Sequence, residues 1–397
     1  MKEFFVNVKQ YFKGMTPNEA VLLILTFSIF LTVYAEIAAL ILLPVYIFAT
    51  KQGSVFFKRK EDLIFLSAFW ALSFAVTLLN GGKTFDILIC IGMIFAFIAM
   101  IFITYTMTQR CFRLILSMCC VMSVPAFIVA CIQKFMIGGG RYSSVFENPN
   151  YYAFFISMVI LFCIYNILKP EHIMPKWVYA LLIPLNLVAL YLTECRTTIA
   201  VLVIVCPIML GFLKNKKWLI IYVSAAASAL LCMLLFGGKL VFIPRIDNFF
   251  EDISLRIGIW KGAIKSILDA PLFGRGYNTY VRINNLYGSF DAAHSHNLLL
   301  ELLMDFGIAG TLIISGYFAI NIGKIIRLHK KNICHMRYAL TISVIVSVLL
   351  HGLLDITMLW PQTSLLVMYV IGFSTEYDKV RIFGNDRKHK ILPHEQK

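Results

Sequence analysis

The chain has 397 residues, 60% of them hydrophobic and 14% charged, and carries a formal charge of +15; its mean hydropathy is +0.80. A soluble domain of this length carries about 25% charged residues, so the composition excludes a water-soluble globular enzyme and indicates an all-α polytopic membrane protein. The positive charge does not call for a nucleic-acid partner, because an excess of Lys and Arg on the cytoplasmic side of a membrane accounts for it.

The N-terminal stretch MKEFFVNVKQYFKGMTPNEA lacks the charged, apolar and small-residue succession of a removable signal, so the first apolar run is expected to act as the insertion signal. A hydrocarbon core of roughly 30 Å takes about 20 apolar residues per helix. Apolar runs at 20–34, 36–50, 62–79, 84–106, 112–136, 151–168, 177–193, 197–213, 218–236, 297–323, 337–355 and 361–377 predict about twelve spans. The first two are short and meet near Glu36, so they read either as a tight hairpin or as one long tilted helix.

With a cytoplasmic N-terminus, this count returns the C-terminus to the cytoplasm. The segments then predicted inside hold most of the basic residues, including Lys51, Lys58, Arg59 and Lys60, Arg110 and Arg113, Lys214, Lys216 and Lys217, and the tail after 379, as the positive-inside rule requires. Four regions result: an N-terminal bundle of about nine spans (1–236), an external loop (237–296), three C-terminal spans (297–378) and a basic cytoplasmic tail (379–397). The apolar pattern does not repeat from one half to the other, as it often does in transporters. The ten cysteines fall mostly inside apolar runs and form no CxxC pair; they read as small apolar fillers, not as a metal knuckle or a disulfide framework.

The one long loop is too long for a plain connector. It contains SLRIGIWKGAIKSILDAPLFGRGYNTY, where Leu255, Ile259, Ala263 and Ile267 fall at helical spacing before a stop at Asp269–Pro271 and a glycine-rich turn. This predicts a short amphipathic helix on or near the outer membrane surface.

The outward segments carry the chemistry: RYSSVFENPNYYA, ECRTT, SLRIGIW, PLFGRGYNTY, HSHN and HGLLD. A single arginine at a membrane surface is ordinarily a snorkelling anchor. Here Arg141, Arg196, Arg256 and Arg275 can converge at one mouth, and grouped guanidiniums suit a diphosphate, which they bind bidentately without losing their charge. His296 is the candidate for proton transfer, since imidazole titrates near neutrality; His294 is a weaker candidate, and either histidine could instead be a helix-entry residue bonded to backbone. Asn297, Glu301 and Asp305 recur at i, i+4 and i+8, so they form a stripe on one helix face that is expected to face a water-filled cavity. Asp355 joins them on similar grounds, with an interfacial cap as its plainer alternative. Gly307 and Gly310 would allow close helix packing behind that face. His294 and His296 are spaced too closely to share a helical face and no third ligand is evident, so no metal and no cofactor are expected.

These residues resemble the O-antigen ligase and Wzy-type polysaccharide polymerase superfamily. His296-Asn297, nine residues, Gly307, two residues and Gly310 fit the ligase motif throughout; Arg196 in CRTTIA falls where the family usually has Ser-Arg-Thr, with Cys195 in place of Ser. Arg256 with Trp260, the PLFGRG run (with Arg275 where Val is common), Asn148-Pro149-Asn150 and HGLLD resemble further family elements. The resemblance covers roughly 141–365 and implies a GT-C type, metal-independent glycosyltransferase in the bacterial cytoplasmic membrane, with its active site on the outer face. The donor would be an undecaprenyl-diphosphate-linked glycan and the acceptor another glycan, which makes the lipid bilayer and, for a polymerase, a chain-length regulator its partners. His296 is then the base, Arg196 and Arg256 the main diphosphate clamps, and Arg141, Asn150, Arg275, His294, Asn297, Glu301, Asp305 and Asp355 substrate-binding residues. A polymerase of repeat units is the first reading and a ligase to lipid A core the second. A secondary transporter or flippase is the alternative from another class.

Overall fold

A computed structural model describes residues 14–169, 173–235, 249–330 and 335–382. Among them the chain forms helices and turns and no strand. The helices are α1 (Pro17–Ser28), α2 (Val33–Ala49), α3 (Lys60–Leu79), α4 (Thr84–Thr106), α5 (Gln109–Ile137), α6 (Pro149–Leu168), α7 (Lys176–Thr193), α8 (Arg196–Phe212), α9 (Lys216–Leu235), α10 (Phe249–Asp269), α11 (Thr279–Ile283), α12 (Leu298–Lys330), α13 (His335–Gly352) and α14 (Pro361–Ile382).

Each apolar run expected to span is helical, and the first two are separate helices joined by a short turn. Seven of the described helices, α3 to α7, α12 and α13, are long and apolar enough to cross a membrane, while α1, α2 and α8 are shorter apolar helices. The chain is therefore a polytopic helical membrane protein. The first part of the loop expected at 237–296, through residue 248, and the basic segments before residue 14 and after 382 lie outside the described residues.

Local chemistry sets the helix starts. Thr16 accepts the Glu19 N–H while the Glu19 side chain accepts the Thr16 N–H, a capping box that opens α1 at Pro17. Asn148 caps α6, with Pro149 in the first turn where its missing N–H costs nothing. The turn between α7 and α8 is very short, and Glu194 takes the left-handed conformation within it.

α6 is the innermost spanning helix: from Tyr152 to Phe162 its side chains are almost all buried, and α5, α7, α8, α13 and α14 pack around it. Its first turn thereby carries Asn150 to the centre of one end of the bundle. Large apolar side chains on peripheral helices, such as Ile24, Leu42, Phe48, Leu79 and Phe135, point outward, as a lipid-facing surface requires. Water-driven burial does not operate between helices in lipid, so close packing and internal hydrogen bonds hold such a bundle.

The two ends differ. At one, Arg110 pairs with Glu19, Arg59 with Asp62 at 3.2 Å, and Tyr105 donates to Asp62 at 2.6 Å. At the other end the turns α3–α4, α7–α8 and α13–α14 meet the segment 249–297, and the α1–α2 turn meets the start of α14. Gln362 donates to the Ile29 carbonyl at 2.7 Å, Arg282 to the Asn80 carbonyl at 3.0 Å, and Asn297 to the Leu353 carbonyl at 3.0 Å.

The amphipathic helix is longer than the expected stretch, beginning at Phe249. Ile259 and Ala263 are buried and Ile267 partly so, packing with Trp260 against Tyr280, Ile283 and Met304, while Leu255 is exposed. Its apolar face is therefore covered by α11 and α12, so the segment forms a small core of its own. Anchoring Trp260 in that core fixes the helix turn that bears Arg256.

The most consequential departure from expectation is inside α12, which breaks at Gly307 (φ 62°, ψ −168°). A break in a spanning helix frees backbone groups that lipid cannot satisfy. The PLFGRG segment satisfies them: Ile308 N–H donates to Pro271 O at 2.9 Å, Ala309 N–H to Leu272 O at 3.0 Å, and the Arg275 and Gly276 N–H groups to Met304 O and Asp305 O at 3.1 and 2.7 Å. A Cβ on Gly307 would stand 2.4 Å from the Leu272 carbonyl, and one on Gly274 2.6 Å from that of Asp305. Gly307 thus makes room for a docked loop, whereas Gly310 lies against Leu72 of α3, the helix contact expected of it.

Candidate active site

The site is built around the start of α12. Asn297 is its N-cap, accepting the Leu299 and Leu300 N–H groups at 3.0 and 3.1 Å. Just before it His296 takes the left-handed conformation (φ 52°), a conformation that costs a non-glycine residue roughly 1–2 kcal/mol. Its own N–H donates to His294 Nδ1 at 3.2 Å, and the two rings sit 4.2 Å apart, steeply inclined. The turn is held from below by Glu301, which accepts the Ser295 N–H at 2.7 Å.

Asp355, from the α13–α14 turn, completes the cluster. Its Oδ1 lies 3.7 Å from His294 Nε2 and 3.6 Å from His296 Nδ1. Burial alone would raise the Asp355 carboxyl, but His296, His294 and His351 together hold it well below the usual carboxylate range, so it is an anion. Burial, followed by His296 and Arg256, pushes His294 down to about 4 against the pull of Asp355; His294 is therefore neutral at physiological pH. Because its Nδ1 accepts a backbone N–H, its proton sits on Nε2, facing Asp355.

His296 Nδ1 is buried and finds no hydrogen-bond partner. At 3.6 Å from Asp355 it lies just outside hydrogen-bond range, and a shift of a few tenths of an ångström closes that gap. A proton on Nδ1 facing the anion leaves Nε2 as the lone pair, the tautomer a general base needs.

A chain of contacts supports Asp355 from behind. Asn150 donates to Asp355, Arg141 donates to Asn150, and Arg141 Nε donates to the Thr193 carbonyl at 2.9 Å. On the other side Arg196, the first residue of α8, is paired with Asp252 of α10. Arg256 follows Asp252 by one helical turn, on the same face, and its charge reaches His294. The structure therefore gathers Arg141, Arg196, Arg256, Asn150, His294, His296, Asn297 and Asp355 at one end of the bundle.

Three expected residues are engaged elsewhere. Arg275 donates to Tyr287 at 3.2 Å and lies 3.7 Å from Asp269, within the segment 249–297 itself. Glu301 and Asp305 are 5% and 2% exposed and accept loop backbone, Asp305 taking the Thr279 N–H at 3.1 Å. They clasp the loop onto α12 instead of facing the water-filled cavity expected of the stripe, because buried carboxylates beside unpaired N–H groups are satisfied by them.

Sequence reasoning also missed a third metal-ligand position. His294, His296 and Asp355 offer ligand atoms within 4.8 Å of one another, the group with that spacing found among the described residues. The tautomer of His294 weighs against a cation there: its Nε2 carries a proton, and moving that proton to Nδ1 would set it against the His296 N–H. Thr198 and His351, inside the ECRTT and HGLLD segments, and Asp252 had no signal beyond their proximity to candidate residues.

Residues 179–315, from α7 through the break in α12, match a family model described as O-antigen ligase. That span contains Arg196, Arg256, Arg275 and the His294–Gly310 stretch, while Arg141, Asn150, His351 and Asp355 lie outside it. No curated protein matches the chain.

Proposed function

On the match of residues 179–315 to a family model described as O-antigen ligase, we propose that the chain is a glycosyltransferase of the O-antigen ligase/Wzy superfamily that polymerises lipid-linked oligosaccharide repeat units on the outer face of the bacterial cytoplasmic membrane. The donor in this reading is a glycan on undecaprenyl diphosphate. Outside the cell there is no supply of nucleotide sugars, so the sugar must arrive already activated on its lipid. The observation that carries the reading is the approach of His296 to the buried Asp355 anion, with Arg196 and Arg256 beside them.

The reaction is a single displacement. His296 Nε2 takes the proton of the acceptor hydroxyl as its oxygen attacks the anomeric carbon. The bond from that carbon to the diphosphate oxygen breaks, and its electron pair leaves on the diphosphate. Asp355 stabilises the imidazolium that forms, and the arginines offset the charge developing on the leaving group. With no enzyme nucleophile the sugar carbon inverts once. Arg141 and Asn150 hold Asp355 in register. His294, neutral beside the base, adds no charge that would compete with proton uptake by His296. No metal ion takes part in this scheme.

The description of the matching family model favours a second reading, transfer of the glycan to a lipid A core. One reconstitution separates the two. Proteoliposomes are given lipid-linked repeat units with and without lipid A core, and products are resolved by gel electrophoresis and mass. Lengthened lipid-linked chains support polymerisation; glycosylated core with no lengthening supports ligation.

A further inference from the structure

The ring of His351 takes no part in the chemistry just described, yet it is fully buried at the end of α13. Its Nε2 meets the Thr198 hydroxyl at 2.8 Å, and its Nδ1 meets the Thr357 hydroxyl at 3.2 Å. Both threonines are buried as well. Phe154 of α6 stands edge-on to the ring, with centroids 5.4 Å apart. The His351 carbonyl accepts the N–H groups of Leu354 and Asp355 at 3.0 and 2.9 Å. One residue therefore binds the start of α8, two positions after Arg196, and the turn that presents Asp355. A neutral imidazole suits this place, because one nitrogen donates and the other accepts, and a hydroxyl can answer either.

We propose that His351 is a positioning residue, tying the arginine on the diphosphate side (Arg196, through Thr198) to the carboxylate that orients the base (Asp355). The inference rests on the reaction proposed above. Removing the tie leaves every reacting group present and lets the two halves of the site drift. Drift of this kind lowers turnover far more than donor affinity, since misplacement of about 1 Å can cost about 10²-fold in rate.

The test uses the full chain in nanodiscs with lipid-linked repeat units, comparing wild type with His351→Phe, His351→Gln, Thr198→Val and the double variant His351→Phe/Thr198→Val. Phe keeps the ring and loses both hydrogen bonds, whereas the Gln amide reaches the Nε2 position and keeps the bond to Thr198. His351→Phe is expected to lower kcat about tenfold or more with the donor KM within about threefold. His351→Gln is expected to recover most of that loss, and the double variant to be no worse than the poorer single one, as two ends of one contact behave. Wild-type kcat in His351→Phe, Gln performing no better than Phe, or additive losses in the double variant would each overturn the proposal. If His351→Phe does not give a monodisperse protein on size exclusion, Thr198→Val against His351→Gln makes the same comparison: a kcat loss confined to Thr198→Val supports the tie, and equal kcat values overturn it. Wild type that transfers no glycan removes the proposed reaction itself, whereas active wild type with unaffected variants removes only the role of His351.

Discussion

Arg196 and Asp252 form an ion pair between the first residue of α8 and the amphipathic helix α10. The guanidinium proposed to receive the donor diphosphate is thus already engaged by a carboxylate, one turn from Arg256. A diphosphate has to replace that carboxylate or share the arginine with it. Asp252→Asn is therefore expected to tighten binding of undecaprenyl diphosphate about two- to fivefold, given that partly exposed pairs contribute roughly 0–1 kcal/mol. Microscale thermophoresis in nanodiscs reads this directly. Weaker binding in the variant would show that Asp252 aims the arginine instead of competing for it.

Arg196→Lys separates geometry from charge. Lysine keeps the charge and loses the planar fork that matches two phosphate oxygens. A fall in kcat/KM of about tenfold or more is expected in steady-state transfer assays, and an unchanged value would reduce Arg196 to a charge anchor.

Asp355→Asn retains the shape of the side chain and removes the anion that faces His296. The amide cannot stabilise the imidazolium, and it can hold the ring in the wrong tautomer. Turnover is expected to fall about 10²-fold or more, within the range that general-base catalysis contributes, while the Kd for undecaprenyl diphosphate changes little. Loss of binding together with turnover would instead make Asp355 part of the donor site.

His294 gives the fold a specific response to acid. Folded, it titrates at about 4, lowered by burial from 6.5. Between these values the unfolded chain binds a proton that the folded chain does not. Stability from this group is complete above about pH 6.5 and is lost as pH falls towards 4, about 1.4 kcal/mol per pH unit and about 3 kcal/mol in all. His294→Asn, whose side-chain oxygen can still accept the His296 N–H, is expected to flatten Tm against pH over that window. An unaltered slope would assign the acid response to other groups.

Gly307→Ala tests the docked loop. Alanine at φ 62° is strained, and its Cβ meets the Leu272 carbonyl at 2.4 Å, so PLFGRG must lift away and leave the backbone at the break unpaired. A loss of at least about 2 kcal/mol is expected, read as a lowered Tm. Gly323→Ala, further along the same helix where a Cβ meets nothing within 4 Å, serves as the control and is expected to stay within about 0.5 kcal/mol of wild type.

How legible this was in the sequence follows from the range of each signal. Apolar runs of spanning length are local, and every one of them is a helix. The alternation of basic segments is local too, and it speaks to the side of the membrane each turn faces, not to what the turns touch. The break at Gly307 was not legible, since its cause lies in the distant PLFGRG segment, and glycine in a spanning helix reads first as a packing residue. Glu301 and Asp305 were singled out because carboxylates in an apolar run are costly, but their spacing on a helix does not reveal that loop N–H groups wait beside them. Asp355 was noticed as a residue, and its approach to both histidines required the α13–α14 turn to meet the turn before α12. Arg275, ranked behind Arg196 and Arg256 but grouped with them at one mouth, is held by Asp269 and Tyr287, partners that its place in the sequence does not announce.

The central claim is that His296 is the base of a glycan transfer driven by a lipid diphosphate. The most direct test reconstitutes wild type and His296→Ala with a labelled lipid-diphosphate-linked glycan, following product formation and donor binding in the same vesicles. The expected result is transfer by wild type and a loss of about 10²-fold or more in the variant, with donor binding retained. Product formation by His296→Ala at the wild-type rate would contradict it.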